Sequence, residues 1–118
     1  MSYGWKSSTG TTSNKYHARK TKVGDRVFDS KKEADRFVEL TLMEKAKAIQ
    51  DLKCQTKFPL IRKSAHGREI TYVADFTYYE DGKLVVEDVK SPATRTAVYR
   101  LKKRLMAELY DGIEIKET

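Results

Sequence analysis

The sequence has very few of the residues that staple small proteins or bind structural metals. Its 118 residues include one cysteine, Cys54, and two histidines, His17 and His66. One cysteine excludes an internal disulfide, and its place in an apolar run predicts a buried free thiol. Two histidines that stand apart in the chain, with one cysteine, make no recognisable zinc site. We therefore expect neither a disulfide scaffold nor a zinc protein.

Long apolar runs are also missing. No stretch approaches the roughly 18–20 apolar residues of a membrane-spanning helix, and no signal peptide is visible. We therefore expect a cytoplasmic protein without a membrane partner. A chain of 118 residues is long enough to bury roughly 60–70 % of its unfolded surface in a single core.

Charge is abundant and unbalanced. The chain carries 24 Lys and Arg against 17 Asp and Glu, a formal net charge of +7. A positive balance of this size favours a polyanionic partner, because cations bind phosphate backbones whatever the base sequence. The alternative that composition leaves open is a basic surface without a partner.

The chain divides into an arm and one domain. Residues 1–14 are rich in Ser, Thr and Gly and predict a flexible N-terminal arm, followed by a domain over residues 15–118. Hydrophobic periodicity predicts the order helix, three strands, helix, strand. The expected elements are a helix from Ser30, strands over 52–61, 70–79 and 83–90, a helix over 94–110 and a strand over 113–116.

The two middle strands form a hairpin around Asp81-Gly82, the strongest short-range hairpin signal that a sequence offers. If these two residues form the loop, Glu80 pairs with Lys83. Counting outward then places Asp75 directly opposite Asp88. Like charges opposed across a sheet are destabilising, so this pair needs an explanation. Both strands are otherwise apolar, which predicts a central position in a sheet covered by helices.

A bound divalent cation explains the opposed acids, since carboxylates and water are the ligands that Mg²⁺ and Mn²⁺ prefer. Lys90 shares a face with Asp88 and would orient or deprotonate an attacking water, or offset charge on phosphorus. The structural alternative is an Asp–Lys salt bridge that closes the strand end. A longer turn would slip the register and bring Glu87 opposite Asp75 instead.

Two further features adjoin this group of residues. Glu33 fits a capping box with Ser30, and it also fits a third carboxylate near the metal; the sequence does not choose between the two. The second helix carries an apolar stripe and a basic stretch. The stripe comprises Val98, Leu101, Leu105 and Leu109, and the candidate DNA-binding residues are Arg95, Arg100, Lys102 and Lys103, together with Lys20 before the first helix.

The order of these residues resembles the PD-(D/E)xK nuclease superfamily. The chain is also similar to a phage-encoded family of small nuclease-like proteins of unknown function. The phrases that carry the likeness are Phe28-Asp29-Ser30-Lys31-Lys32-Glu33-Ala34, Asp51-Leu52 with Gln55, Tyr72-Val73-Ala74-Asp75-Phe76 and Glu87-Asp88-Val89-Lys90. Ala74 replaces the proline of the motif, and Ser91 stands where relatives often have glycine.

The resemblance implies an αβββαβ restriction-endonuclease-like core, with a four-stranded mixed sheet flanked by helices in an α/β (α+β) fold. It also implies Mg²⁺-dependent hydrolysis of DNA phosphodiesters, with Mn²⁺ as a substitute. Asp75 and Asp88 would be metal ligands, Glu33 an auxiliary acid and Lys90 the catalytic lysine. A resolvase of Holliday junctions or other branched DNA, acting as a homodimer, is the first expectation. The alternative is a non-catalytic nucleic-acid-binding module with the same fold.

Overall fold

The computed structural model describes residues 20–118 of the chain. These residues belong to two compact units, one that ends at Val38 and one from Glu39 to Thr118. The predicted N-terminal arm, residues 1–14, lies outside the described residues. A single domain over residues 15–118 stays a prediction.

The first unit contains a small antiparallel sheet. Its strands are β1 (Thr21–Val23) and β2 (Arg26–Phe28), joined at Gly24, whose positive φ of 59° suits a tight turn. Helix α1 (Lys31–Lys45) follows. Its start is fixed by Ser30, whose hydroxyl accepts a hydrogen bond from the backbone N–H of Glu33 at 3.1 Å. The predicted helix start is confirmed.

The second unit is built on a four-stranded mixed sheet. The strands stand in the order β3-β4-β5-β6, antiparallel except for the parallel pair β5–β6. The elements of this unit after α1 are β3 (Gln50–Ile61), β4 (Ile70–Glu80), β5 (Lys83–Asp88), α2 (Ala97–Leu109) and β6 (Ile115–Glu117). The predicted α/β class and the four-stranded mixed sheet are confirmed.

Strand β3 lies at the edge of this sheet, and an edge strand and a bulge are the two settings in which a proline within a strand is usually found. The register between β3 and β4 also shifts between Pro59 and Ile61, so both settings are present at this proline. The hydroxyl of Tyr110, just after α2, donates to the carbonyl oxygen of Pro59 at 2.6 Å. This bond ties the end of the helix to the edge strand.

The hairpin β4–β5 occupies the centre of the sheet. Ala74, Phe76, Tyr78 and Val86 are almost completely buried. Polar residues would rarely be placed in such strands unless they were paired, because unpaired polar groups are costly to bury. The core on the α2 side comprises Leu60, Tyr72, Ala74, Val86, Tyr99, Met106 and Ile115.

Helix α2 differs from its predicted bounds and face. It begins at Ala97 rather than 94, because Pro92–Thr94 forms a separate 3-10 turn and Thr96 caps the helix by accepting from the N–H of Tyr99. The predicted buried stripe is wrong. Val98, Leu101 and Leu109 are more than half exposed, and Tyr99 and Met106 are buried in their place. Leu105 alone among the predicted residues packs against the core. Within residues 20–118, no helix is long and apolar enough to cross a membrane.

Candidate functional site

The turn of the central hairpin sets the register of the site. Asp81 and Gly82 have positive φ values of 53° and 78°, which is the type I′ geometry that Asp-Gly favours. The Cα pairs run from Glu80↔Lys83 to Phe76↔Glu87. The predicted two-residue loop is confirmed, and the slipped register that opposes Glu87 to Asp75 is wrong.

Beyond Phe76 and Glu87, the last paired residues of the hairpin, the carboxylates of Asp75 and Asp88 accept the hydrogen bonds of main-chain N–H groups. The backbone N–H of Asp75 donates to Oδ1 of Asp88 at 2.8 Å. In return, the backbone N–H of Val89 donates to Oδ2 of Asp75 at 2.9 Å. The two acids are therefore brought side by side and oriented by each other's strand. These charge-assisted bonds offset the repulsion expected between opposed like charges.

The second oxygen of Asp88 meets a tyrosine and a lysine. The hydroxyl of Tyr72 donates to Oδ2 of Asp88. Nζ of Lys90 lies 3.6 Å from the same oxygen, while Asp88 itself is only 2 % exposed. Burial and the bond to Asp88 raise the pKa of Tyr72 well above its usual range, so its hydroxyl remains a neutral donor.

Lys90 is held between a carboxylate and an aromatic ring. Its Nζ lies 4.1 Å from the ring centroid of Tyr99, and its side chain is 16 % exposed. The hydroxyl of Tyr99 donates to Oε2 of Glu117 at 2.7 Å, which fixes the ring. A cation between an anion and an aromatic face is confined to one position. The predicted neighbours Asp75, Asp88 and Lys90 thus share one site.

Asp75 has an environment that favours its protonated form. Burial raises the pKa of its carboxyl to about 6, the charge of Asp88 adds to this, and the N–H of Val89 opposes it. The side chain of Gln55 also bonds to this carboxyl. Gln55 lies on β3, next to Cys54, which pairs with Phe76 of β4. The backbone φ of Gln55 is 55°. Left-handed backbone at a non-glycine strand residue is uncommon, and it accompanies many functional sites.

Glu87 lies outside this group. It is fully buried, its Oε1 accepts from the hydroxyl of Tyr78 at 2.7 Å, and its Oε2 accepts from Oγ1 of Thr118 at 3.2 Å. Neighbouring residues of a strand point to opposite faces, so Glu87 and Asp88 face opposite ways. The acid of the site is therefore Asp88.

Sequence reasoning missed Tyr72 for a physical reason. Strict alternation places Tyr72 and Tyr78 on one face of β4, yet their hydroxyls bond to the adjacent residues Asp88 and Glu87. The alternation of β4 therefore changes between these tyrosines, around Asp75. Gln55 left only a weak signal, its place in the family-like phrase.

Glu33 keeps both of its interpretations. It is buried, with 6 % exposure, and its N–H completes one half of the predicted capping box by donating to Ser30. Glu33 belongs to the unit that ends at Val38, and the hairpin acids belong to the other unit. Its role as an auxiliary metal ligand stays a prediction.

Three of the four DNA-binding cations predicted for the second helix have partners inside the protein, and one of these three, Arg95, lies before the start of α2. Arg95 and Lys103 both pair with Glu117, at 3.0 and 3.1 Å, and Nζ of Lys102 donates to the carbonyl oxygen of Thr71 at 2.9 Å. Arg100 and Lys20 are exposed. DNA binding by these five residues stays a prediction, and three of them have a structural role as well.

Within the part of the chain from residue 20 onward, no three His, Cys, Asp or Glu side chains form a group that would hold a metal ion. The two carboxylates of Asp75 and Asp88 are the closest approach to such a group at this site.

Comparison with known proteins gives one match. The sequence model of a family described as "Protein of unknown function (DUF1064)" matches residues 13–117, nearly the whole chain. No curated protein and no solved structure matches it.

Proposed function

We propose that this chain, which belongs to the DUF1064 family of proteins of unknown function, is a metal-dependent endodeoxyribonuclease of PD-(D/E)xK type. The observation that carries the proposal is the site at the end of the central hairpin. There Asp75 and Asp88 orient each other through backbone N–H groups, and Lys90 lies 3.6 Å from Asp88. Two acids and one lysine are the groups that the PD-(D/E)xK motif names, and carboxylates beside a cation suit metal-assisted attack of water on phosphorus.

The donor set fits Mg²⁺ or Mn²⁺. A carboxylate offers about four lone pairs, and the bonds from Val89 and Gln55 leave part of this capacity unused on Asp75. Mg²⁺ usually takes one or two protein carboxylates and completes its shell with water and phosphate oxygens. Asp75 and Asp88 would hold the ion, and an auxiliary role for Glu33 is supported by the family resemblance alone. The ion would supply Lewis-acid stabilisation of the phosphate charge and a more acidic water.

The protein residues then have distinct roles. Lys90 orients the attacking water or offsets charge on phosphorus, because its ammonium is confined at the edge of the acid pair. Tyr72 holds Oδ2 of Asp88, so that this carboxylate keeps its orientation. Tyr99 limits the movement of the Lys90 ammonium. Preorganised charges of this kind stabilise a transition state without rearranging during the reaction.

The proposed partner is DNA, supported by the net charge of +7. Branched DNA, such as a Holliday junction, is the first candidate substrate. A symmetric junction must be cut at two places, so a two-fold homodimer is part of this proposal. The proposed compartment is the cytoplasm, that of the host if the chain is phage-encoded.

A second candidate is a non-catalytic nucleic-acid-binding module. One observation favours it: the carboxylate of Asp88 already accepts from the N–H of Asp75 and the hydroxyl of Tyr72, and it pairs with Lys90. A carboxylate with these partners would serve equally well in a structural Asp–Lys salt bridge at the end of the strand. The two candidates differ in whether DNA is cut.

A cleavage panel tests the proposal. Duplex, single-stranded and four-way-junction DNA are incubated with the full chain in Mg²⁺ or Mn²⁺. We expect cleavage of at least one substrate. The cleavage rate should fall by roughly 10²–10³-fold in Asp88→Asn and in Lys90→Ala. DNA affinity should remain, since few phosphate contacts are removed.

The same hairpin offers matched controls. Glu80 and Lys83 face each other at the turn, far from the acid pair. Glu80→Gln and Lys83→Ala should cleave at the rate of the unsubstituted chain. If no substrate is cut with either metal, or if Asp88→Asn cuts normally, the nuclease proposal is wrong. Measurement of the molar mass in solution, with and without junction DNA, tests the homodimer.

A further inference from the structure

The tip of the β3–β4 hairpin carries a cluster of cations that the site does not use. Ser64 and Gly67 close a tight turn, with N–H to carbonyl distances of 3.0 and 3.2 Å in the two directions. The hydroxyl of Ser64 also accepts from the N–H of His66 at 3.1 Å. The residues Arg62, Lys63 and Arg68, which we call the tip cations, flank this turn and are exposed to solvent.

The tip cations contrast with those of α2. Across residues 20–118 they make no hydrogen bond and no ion pair. In α2, by comparison, Lys103 pairs with Glu117 and Arg104 pairs with Glu108 at 2.9 Å. The single acid of the tip segment, Glu69, accepts instead from the hydroxyl of Thr71 at 3.0 Å. The tip therefore holds three neighbouring cations without an ion pair, although single cations elsewhere in residues 20–118, such as Arg100 on α2, also lack one.

Uncompensated like charges on a constrained turn favour a polyanion. The tip cations repel one another in the free protein, and phosphate groups would relieve this repulsion while releasing counterions. Two of the three are arginines, whose guanidinium groups bind phosphate through two hydrogen bonds at once. Neutral or cationic partners gain nothing from this arrangement.

The tip is also at a useful distance from the acid pair. Arg68 precedes Asp75 by seven residues, which is about 23 Å in an extended strand. One turn of B-DNA is about 34 Å long. A duplex with a phosphate at the acid pair would therefore carry further phosphates within reach of the tip.

We propose that Arg62, Lys63 and Arg68 form a DNA-backbone contact that holds the duplex less than one turn away from the cleaved phosphate. The inference rests on the proposed function, since it takes DNA as the partner. It assigns the main phosphate contact to the β3–β4 tip rather than to α2. The contact is independent of base sequence, because it engages phosphates only.

The test measures DNA binding rather than cleavage. Fluorescence anisotropy with a labelled duplex, in EDTA, gives the affinity of the full chain over a series of salt concentrations. The triple variant Arg62→Ala, Lys63→Ala, Arg68→Ala should bind more weakly at every salt concentration. The slope of log K against log salt should fall by about 2.7, since each phosphate contact contributes about 0.9.

A second triple variant controls for net charge. Lys31→Ala, Lys83→Ala and Arg104→Ala also remove three positive charges, two of them from the surface ion pairs with Asp35 and Glu108. The slope of this variant should remain within one phosphate contact of the unsubstituted chain. All six residues are exposed, so the unfolding temperatures of both variants should be close to that of the unsubstituted chain.

Three outcomes overturn the inference: no DNA binding by the unsubstituted chain, an unchanged slope in the tip variant, or equal losses in the two variants. The cleavage panel judges the nuclease separately. A chain that binds DNA through the tip and cuts nothing contradicts the nuclease alone. A chain that cuts DNA with an unchanged tip slope contradicts the tip contact alone.

Discussion

At the scale of single residues, the site shows how two opposed acids are accommodated in an apolar sheet. Asp75 and Asp88 each accept a backbone N–H from the other strand, so side chains continue the hydrogen bonding where the ladder ends. Burial still raises the pKa of Asp75 to about 6. The pair is therefore oriented by its hydrogen bonds and disfavoured by its charge, a combination that suits a cation-binding position.

Tyr72 is the residue whose role is easiest to isolate. Tyr72→Phe removes one hydroxyl and leaves Oδ2 of the buried Asp88 with one donor fewer. We expect the free energy of unfolding to fall by about 1–3 kcal/mol, because hydrogen bonds to charged groups are stronger than neutral ones. Urea titration measures this change. The control is Tyr79→Phe, whose side chain is 41 % exposed; equal losses in the two variants would contradict the role given to Tyr72.

Glu117 gives a dependence of stability on pH. The hydroxyl of Tyr99 and the cations Lys103 and Arg95 lower the pKa of this carboxyl to about 2. A lowered folded-state pKa means that the charged form stabilises the fold above about pH 4.5. That contribution is lost as the pH falls from there toward 2.

Glu117→Gln should therefore cost about 1 kcal/mol at pH 7, given its partly exposed side chain. The difference between the variant and the unsubstituted chain should shrink steadily below pH 4. Thermal unfolding at pH 7, 4 and 3 measures it. A difference that stays constant over this range would show that Glu117 acts by packing and not by charge.

At the scale of elements, α2 shows the limit of periodicity. Val98, Leu101, Leu105 and Leu109 form the most apolar stripe of the helix, yet three of the four are more than half exposed. The helix instead buries the neighbouring face with Tyr99 and Met106. That orientation lets the hydroxyl of Tyr99 reach Glu117. The buried face of α2 is determined by the residues of the sheet against which it packs. The sequence of the helix itself contains no information about those residues.

The orientation of α2 is tested by two truncations of similar size. Met106→Ala removes a fully buried side chain and should cost about 2–4 kcal/mol in the free energy of unfolding. Leu101→Ala removes a side chain that is 60 % exposed and should change it by less than about 0.5 kcal/mol. Chemical denaturation measures both values. A larger loss of unfolding free energy in Leu101→Ala than in Met106→Ala would show that α2 buries the face that periodicity predicts.

The β4–β5 turn is the opposite case, since local chemistry decided it. Asp81 and Gly82 accept positive φ at low cost, so a two-residue loop is available whatever surrounds it. The loop fixes Glu80 against Lys83, and each later pair follows by counting. This is why the position of Asp75 beside Asp88 was predictable from the sequence.

At the scale of the whole molecule, the distribution of charge matters more than its total. The net charge of +7 is a property of composition. How much of it faces a partner depends on pairing: Arg95 and Lys103 are paired with Glu117, whereas the tip cations are not paired. Proximity in sequence to Lys90 indicated α2 as the DNA-binding element. The folded arrangement favours the β3–β4 hairpin, which precedes Lys90 in the chain.

The sequence by itself determined the α/β class and the register of the central hairpin, and the family resemblance implied the mixed four-stranded sheet. The class and the register rest on periodic and local rules, namely the spacing of apolar residues and the Asp-Gly turn. Tertiary structure decided the buried face of α2, the bond from Tyr72 to Asp88 and the pairing of the α2 cations. These depend on residues far apart in the chain, and the bond from Tyr72 depends also on the break in alternation near Asp75, which no pattern with a fixed period predicts.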